Sequence, residues 1–441
     1  LKTFLSLLFS LSTLLILAQN TQIKFEKYKL QNGLTVILHQ DKSVPVVAIT
    51  TMYHVGSKNE DTSRTGFAHF FEHLLFEGSK YIKRGEFMKY VQKNGGELNA
   101  NTSQDRTFYY EVLPSNKIEL GLWLESERML EANILEEGVK TQKEVVKEEK
   151  RQSVDNRPYG TIFEQFFKRA FKQSPYRWSI IGSLEHLTQA QLDEFIVFYK
   201  KYYVPDNCVL SIAGDFDIDF LKLKIQQYFG DIPQGATPIV QPNIIEPALG
   251  GEVRDIIEDN IQLPAVIMAY RVPSLKSPDY FAFRILSTIL AGGESSRLNK
   301  VLVEQKQDAF EVGSFPYILE SEGLFITYGI ANFGKKPQDL EKTMDSVSDE
   351  LTQQLVSEKE FNKVKNQIQT EVISGKRTMA GIAEELANNE TFFGDANLIN
   401  TELSKYQAVT RADVLKLAKQ YLQKDNRVIL YYVPKKKSSS N

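Results

Sequence analysis

The end of this chain repeats the end of its middle. Thr188, a helical stretch, Tyr202, Asp206-Asn207 and an apolar run close the first half; Thr410, a helical stretch, Tyr421, Asp425-Asn426 and Val428-Ile429-Leu430 close the second. The two helical stretches differ by about one turn, so the copies have drifted, yet a unit of about 200 residues has been written twice. Between the copies, residues 231–251 carry Pro233, Pro238, Pro242 and Pro247 with Gly235, Gly250 and Gly251, the composition of a linker. The expected plan is one domain over 22–232, a linker over 233–251, a second domain over 252–434 and a frayed tail over 435–441.

Each copy mixes strand and helix signals. Asn32-Gly33 between Leu30-Gln31 and Leu34-Thr35 signals a hairpin. Val44 to Tyr53, Thr107 to Leu113 and Cys208 to Ala213 read as strands. Thr65 to Glu77 reads as a helix stopped by Gly78, and Ile118 to Glu131 and Lys140 to Arg151 as two more. Leu192 to Tyr203 is a further helix, expected to start at Thr188 with Gln191 three positions on as a capping box. In the second copy, Arg254 to Ile261, Ala265 to Val272 and Gly323 to Ala331 read as strands. Asp279 to Ala291 and most of Leu340 to Gln369 read as helix. Runs of strands with helices between them point to the α+β class: two similar domains, each a mainly antiparallel sheet packed with helices.

Composition excludes some functions. A net charge of −3 and a pI near 6.1 provide no basic field for nucleic acid. The single cysteine, Cys208, cannot form an internal disulfide and sits in an apolar run, where a buried inert thiol is expected. At the N-terminus Lys2 precedes a mostly apolar run from Phe4 to Leu17, then Ala18 and polar Gln19-Asn20-Thr21. That order reads as a secretory signal peptide over 1–18, which predicts a periplasmic or secreted protein. The run is short of the roughly 20 apolar residues of a membrane span, and no other stretch is long and apolar enough to provide one.

Chemistry concentrates in His69-Phe70-Phe71-Glu72-His73. On a helix, residues four apart share a face, so His69 and His73 can reach one point with Glu72 beside them. Two neutral imidazoles and a carboxylate form a catalytic zinc set with a position left for water. A second carboxylate next to that water can take its proton and return it to a leaving amine. Glu72 has that place. His39, His54 and His186 carry no such pattern and are expected at the surface or in packing. The third ligand is open on residue types alone: Glu144, Glu148 and Glu149 lie on one expected helix.

The order His-x-x-Glu-His is the inverted zinc motif. Together with YHVGS (53–57), GFAHFFEHLLFEGS (66–79), GGELNANTSQDRTFYYEVLP (95–114), EVVKEEKRQ (144–152) and YYVPDNCVLSIAGDFD (202–217), it resembles the pitrilysin and mitochondrial processing peptidase family over the whole mature region. The resemblance implies two similar domains forming half of a peptidase chamber, with one Zn2+ on the first. It selects Glu149 as third ligand. Gln142 stands where many members carry a supporting Glu. Leu98 to Ser103 is similar to the sheet edge that pairs with an extended substrate, with Asn99 and Ala100 carried over as substrate contacts. Phe70 and Phe76 are expected to line a pocket for an apolar substrate residue, with core packing the competing reading for aromatics on a helix.

The second copy departs from members that act alone, which carry an Arg and, seven residues later, a Tyr. Those positions read Val303 and Phe310 here, while Arg297 resembles a structural helix-start residue. The resemblance thus implies an endopeptidase whose second, family-related subunit supplies Arg and Tyr, as a heterodimer or else a homodimer. The alternative is a non-catalytic peptide-binding or assembly subunit.

Overall fold

The computed structural model describes residues 22–435. The expected signal peptide and all of the expected tail except Lys435 lie outside the described residues.

Alternating apolar positions build two sheets. The first contains β1 (Glu26–Lys29), β2 (Thr35–Gln40), β3 (Val46–Tyr53), β4 (Glu97–Thr102), β5 (Thr107–Pro114) and β6 (Cys208–Gly214), in the order β1-β2-β6-β3-β5-β4. The second contains β7 (Val253–Asp259), β8 (Ala265–Pro273), β9 (Ala309–Ile318), β10 (Glu322–Ala331) and β11 (Arg427–Pro434), in the order β7-β11-β8-β10-β9. Only β2/β6 and β7/β11 run parallel; the other pairs are antiparallel. Apart from the extra hairpin strand β1, the two orders superpose element for element, which is the duplication in three dimensions. Gly33 turns that hairpin at φ 91°, and Asn32 fastens it by donating to the Phe229 and Ile232 carbonyls.

The central strands of each sheet are covered on both faces. In β3, Val47 and Ile49 join one core while Ala48 and Met52 join another on the opposite face. In β8, Val266, Met268 and Tyr270 face one way, and Ala265, Ile267 and Ala269 the other. This is the two-residue period of a strand buried on both sides. The covering crosses the expected domain boundary. Helix Ile162–Ala170, from the first half, lays Phe166, Phe167 and Ala170 on Ile267, Ala269, Val428 and Leu430 of the second sheet. Helix Met379–Phe393, from the second half, lays Ile382, Ala383, Leu386 and Ala387 on Ile37, Ala48, Met52 and Ala213 of the first. Alanines on both partners let that helix approach closely.

A polar lock also joins the halves. Lys58 Nζ lies 3.1 Å from Asp105 Oδ1 and 2.5 Å from Glu320 Oε2, on the turn between β9 and β10. His54 Nε2 is 2.6 Å from the same Glu320 oxygen, and the Tyr176 hydroxyl donates to Asp105 at 2.7 Å. Two local expectations change. The helix Leu192–Tyr202 is capped by Gln191 with Glu194, not by Thr188, which ends the preceding helix Leu184–Gln189 with its hydroxyl on the Leu184 carbonyl. β9 was hidden by Gly313 and Pro316, which weaken a strand signal.

Candidate metal centre

Helix Phe67–Leu74 is shorter than the expected Thr65–Glu77: it starts later because Gly66 sits at φ 96°, outside the helical region, and it ends before Leu75, whose ψ of 1° leaves the helix. A side chain there would put a Cβ 2.6 Å from the Ile181 carbonyl oxygen. The helix start is held by Glu60, which accepts from Gly66 N and Ala68 N, both at 2.8 Å. A carboxylate suits the positive end of a helix, yet burial pushes this one up to about 8 against the pull of those N–H groups. The inner face is aromatic. Phe67, Phe70 and Phe71 all pack on Phe195, with centroid distances of 4.6, 4.8 and 6.2 Å. That packing leaves His69 and His73 on the other face, with His69 buried and His73 half-buried; their ring centroids are 4.9 Å apart.

Glu149 meets them from the last residue of helix Glu136–Glu149, just before a π-helical turn, Lys150–Asp155. Its Oε2 is 3.0 Å from His73 Nε2, and its Oε1 is 3.5 Å from His69 Nε2. One donor atom from each residue lies within 4.8 Å of the other two. Glu149 Oε2 is nevertheless buried with no well-aligned hydrogen bond, as is His69 Nδ1. The two Nε2 atoms and the Glu149 carboxylate converge, and two imidazoles with one carboxylate are a donor set that fits a cation such as Zn2+. The neighbouring His69 and His73 rings hold the Glu149 carboxyl well below the usual carboxylate range, so it stands ready as an anion. The other two glutamates turn away: Glu148 bonds Arg151 and Gln152, and Glu144 bonds Lys147.

Glu72 accepts from the Thr102 hydroxyl at 2.6 Å. Thr102 lies on β4, in phase with Leu98 and Ala100, which pack on the same core as the motif helix. Sequence reasoning stopped at Asn99 and Ala100, although Thr102 stood in the same LNANTS stretch and two residues on from Ala100 faces the same side. β4 is the free edge of the sheet. The Ala100 N–H points off that edge and is covered by its neighbour, Asn99 Oδ1, at 2.8 Å.

Other expected positions fall as follows. Phe70 is 0% exposed, so it belongs to the core and lines no pocket, as its contact with Phe195 requires. Phe76 is half-buried, edge-on to Phe87 and Tyr109, with the Arg128 guanidinium 4.6 Å from its centroid. Gln142 donates to Glu77 at 2.5 Å. Val303 packs on the second core, Phe310 is exposed at the start of β9, and Arg297 is paired with Glu360. His186 bonds the Thr65 backbone and hydroxyl just before the motif helix, and His39 meets the Lys24 carbonyl.

Comparison with known proteins bears on family and fold. Residues 35–183 match the family model described as insulinase (peptidase family M16), and residues 189–368 match one described as the peptidase M16 inactive domain. The latter span contains none of the metal-cluster residues. A zinc protease, PqqE, of Helicobacter pylori is 28% identical over 422 residues, covering 95% of this chain and 94% of that protein. An uncharacterized zinc protease of Rickettsia felis is 27% identical over 373 residues, covering 84% of this chain and 88% of its own length. Among solved structures, a protease from Helicobacter pylori superposes with a TM-score of 0.89 at 28% identity, over 93% of this chain and 100% of that one. A peptidase M16 inactive domain from Pseudomonas fluorescens shares the fold, with a TM-score of 0.83 at 18% identity over 94% and 98%.

Proposed function

Since this chain belongs to the insulinase family of peptidases, family M16, we propose that it is a zinc-dependent endopeptidase acting on peptides or unfolded segments. The observation that carries the reading is the convergence of His69, His73 and Glu149 beside a separately held Glu72. The three would hold one Zn2+ per chain. Zinc supplies Lewis acidity there, the polarisation that makes water nucleophilic near neutral pH.

The chain's own residues supply the rest. Glu72, oriented by Thr102, takes a proton from the attacking water and delivers it to the leaving amine. The free edge of β4 pairs with an extended peptide, which displaces Asn99 Oδ1 from the Ala100 N–H. Val303 and Phe310 offer neither a cation nor a hydroxyl to a substrate carbonyl, so a related second subunit supplies those groups. The apolar run from Phe4 to Leu17 favours export. Among the described residues no helix is long and apolar enough to cross a membrane.

The test is zinc content by mass spectrometry with turnover of a quenched peptide library, for the chain together with the subunit that co-purifies with it and for the same pair carrying Glu72→Gln. Zinc bound by both, with turnover lost only in the variant, supports the reading. Absence of bound zinc in the native chain overturns it. The description of the second half as an inactive domain favours one other reading, a metal-loaded subunit that holds peptides without cutting them. That reading requires zinc binding and peptide binding without turnover, even when the co-purifying partner is present.

A further inference from the structure

On the face of the first sheet away from the metal cluster, a cavity of about 730 Å³ opens beside the β4 edge. Its floor is Val46, Phe108, Tyr110 and Val112, and its far wall is the start of helix Met379–Phe393 with Arg377, Thr378 and Ala380. One wall therefore comes from each half of the chain. The rim on β4 is Glu97 and Asn101.

These β4 residues are out of phase with Leu98, Ala100 and Thr102. Glu97 faces Val112, Asn99 faces Tyr110 and Asn101 faces Phe108 across the β4/β5 ladder. Phe108, Tyr110 and Val112 belong to the core on the helix Met379–Phe393 side, while Leu98 and Ala100 belong to the motif-helix side. The cavity and the metal cluster thus flank one strand from opposite faces. Arg106 braces two of the lining residues, donating to Glu384 at 2.8 Å with its guanidinium 4.7 Å from the Phe108 centroid, and its Nη1 is buried without a partner.

The geometry points to this cavity as a specificity pocket for the alternate side chains of the peptide, with the metal-free half reading the substrate that the metal-bearing half cuts. The inference rests on the proposed pairing of substrate with β4. A strand added there sends successive side chains to opposite faces. Every second residue then stands on the motif-helix side, and the residues between stand on the cavity's side of the sheet, where their side chains reach inward past the Glu97 and Asn101 rim. The aromatic and aliphatic floor suits a bulky apolar side chain. The exposed Arg377 on the helix side and Glu97 on the β4 rim, neither with an ion pair among the described residues, place opposite charges at the mouth.

The test uses the full chain, zinc-loaded, carrying Glu72→Gln so that peptides bind without being cut. Fluorescent decapeptides, varied one position at a time, are titrated by anisotropy against this protein, against it with Ala380→Phe to fill the cavity, and against it with Arg377→Glu at the exposed mouth. The expected result is a preference for large apolar residues at alternating positions. Ala380→Phe weakens those peptides by about tenfold or more and favours small residues there, as pockets discriminate by side-chain size. Arg377→Glu changes the charge preference at the same positions and leaves the others alone. A profile unchanged in both variants overturns the pocket while leaving peptide pairing intact. No peptide bound by any form overturns the pairing itself, and the pocket with it.

Discussion

Thr102→Val isolates the hold on Glu72. The substitution is nearly isosteric, keeps the β-branch that suits a strand, and removes only the hydroxyl that donates to Glu72 Oε2 at 2.6 Å. A hydrogen bond to a charged group contributes about 1.5–3 kcal/mol. Both residues are half-buried, so water replaces part of it and the lower end applies. About 1.4 kcal/mol is a tenfold loss. The expectation is therefore kcat down about tenfold, KM within a factor of about two, and Thr102→Ser close to native, since orientation of the base matters in the transition state rather than in substrate binding. Zinc stoichiometry should not move, because Thr102 is not among the three clustered donors. The assay is steady-state turnover of a quenched peptide by the chain with its co-purifying partner, alongside metal analysis. Native kcat in Thr102→Val refutes the positioning role. Loss of zinc together with kcat refutes the separation of Glu72 and Thr102 from the ligand set.

Three further outcomes follow from the same geometry. Glu149→Gln should lower zinc affinity by at least about tenfold in a competitive chelator titration while Glu148→Gln does not; equal loss in both would return the third ligand to an open question. Glu60, lifted from its ordinary 4.5 to about 8, keeps its proton longer in the folded chain than in the unfolded one. Its contribution is complete below pH 4.5 and declines as pH rises to about 8, so denaturation midpoints should fall across that window and fall less in Glu60→Gln; parallel curves would show that Glu60 does not set the slope. Phe195→Ala removes the ring beneath Phe67, Phe70 and Phe71 and should cost about 3–5 kcal/mol by chemical denaturation; a loss below about 1 kcal/mol would mean the motif helix is held mainly by Glu60.

How much of the site could be read in advance depended on whether a role needed one residue type or one orientation. His69, Glu72 and His73 were legible because few residue types do that chemistry and their spacing is a helix turn. Glu149 needed the resemblance, since Glu144, Glu148 and Glu149 differ only in which face of the helix each takes, and only contacts with Lys147, Arg151 and the imidazoles separate them. Phe70 went wrong because a motif helix is amphipathic in its aromatics too: the positions flanking the histidines face Phe195, not substrate. Thr102 and Glu60 were missed because a hydroxyl on a strand and an acid in a polar loop carry no spacing signal. Their partners lie 30 residues away in one case and on a loop-to-helix turn in the other.

The two-copy plan was legible for a different reason: a repeat leaves its own turn and cap signals, such as Thr410 with Asp413 and Asp425-Asn426 before β11. The exchange of helices left none. Ile162–Ala170 and Met379–Phe393 each show an apolar face, and such a face demands a sheet without naming which one. What could have been read is that a cover was needed. The β3 run VVAITTMY is buried along nearly its whole length, so both its faces lie under other elements. Ile37, Ala48 and Met52 are 0% exposed with a helix from the second half lying on them. Removing that half would bare an apolar sheet face directly behind the one that carries the His69, His73 and Glu149 cluster. The second copy, without a histidine of its own, is therefore part of the packing that sets β4 beside Glu72.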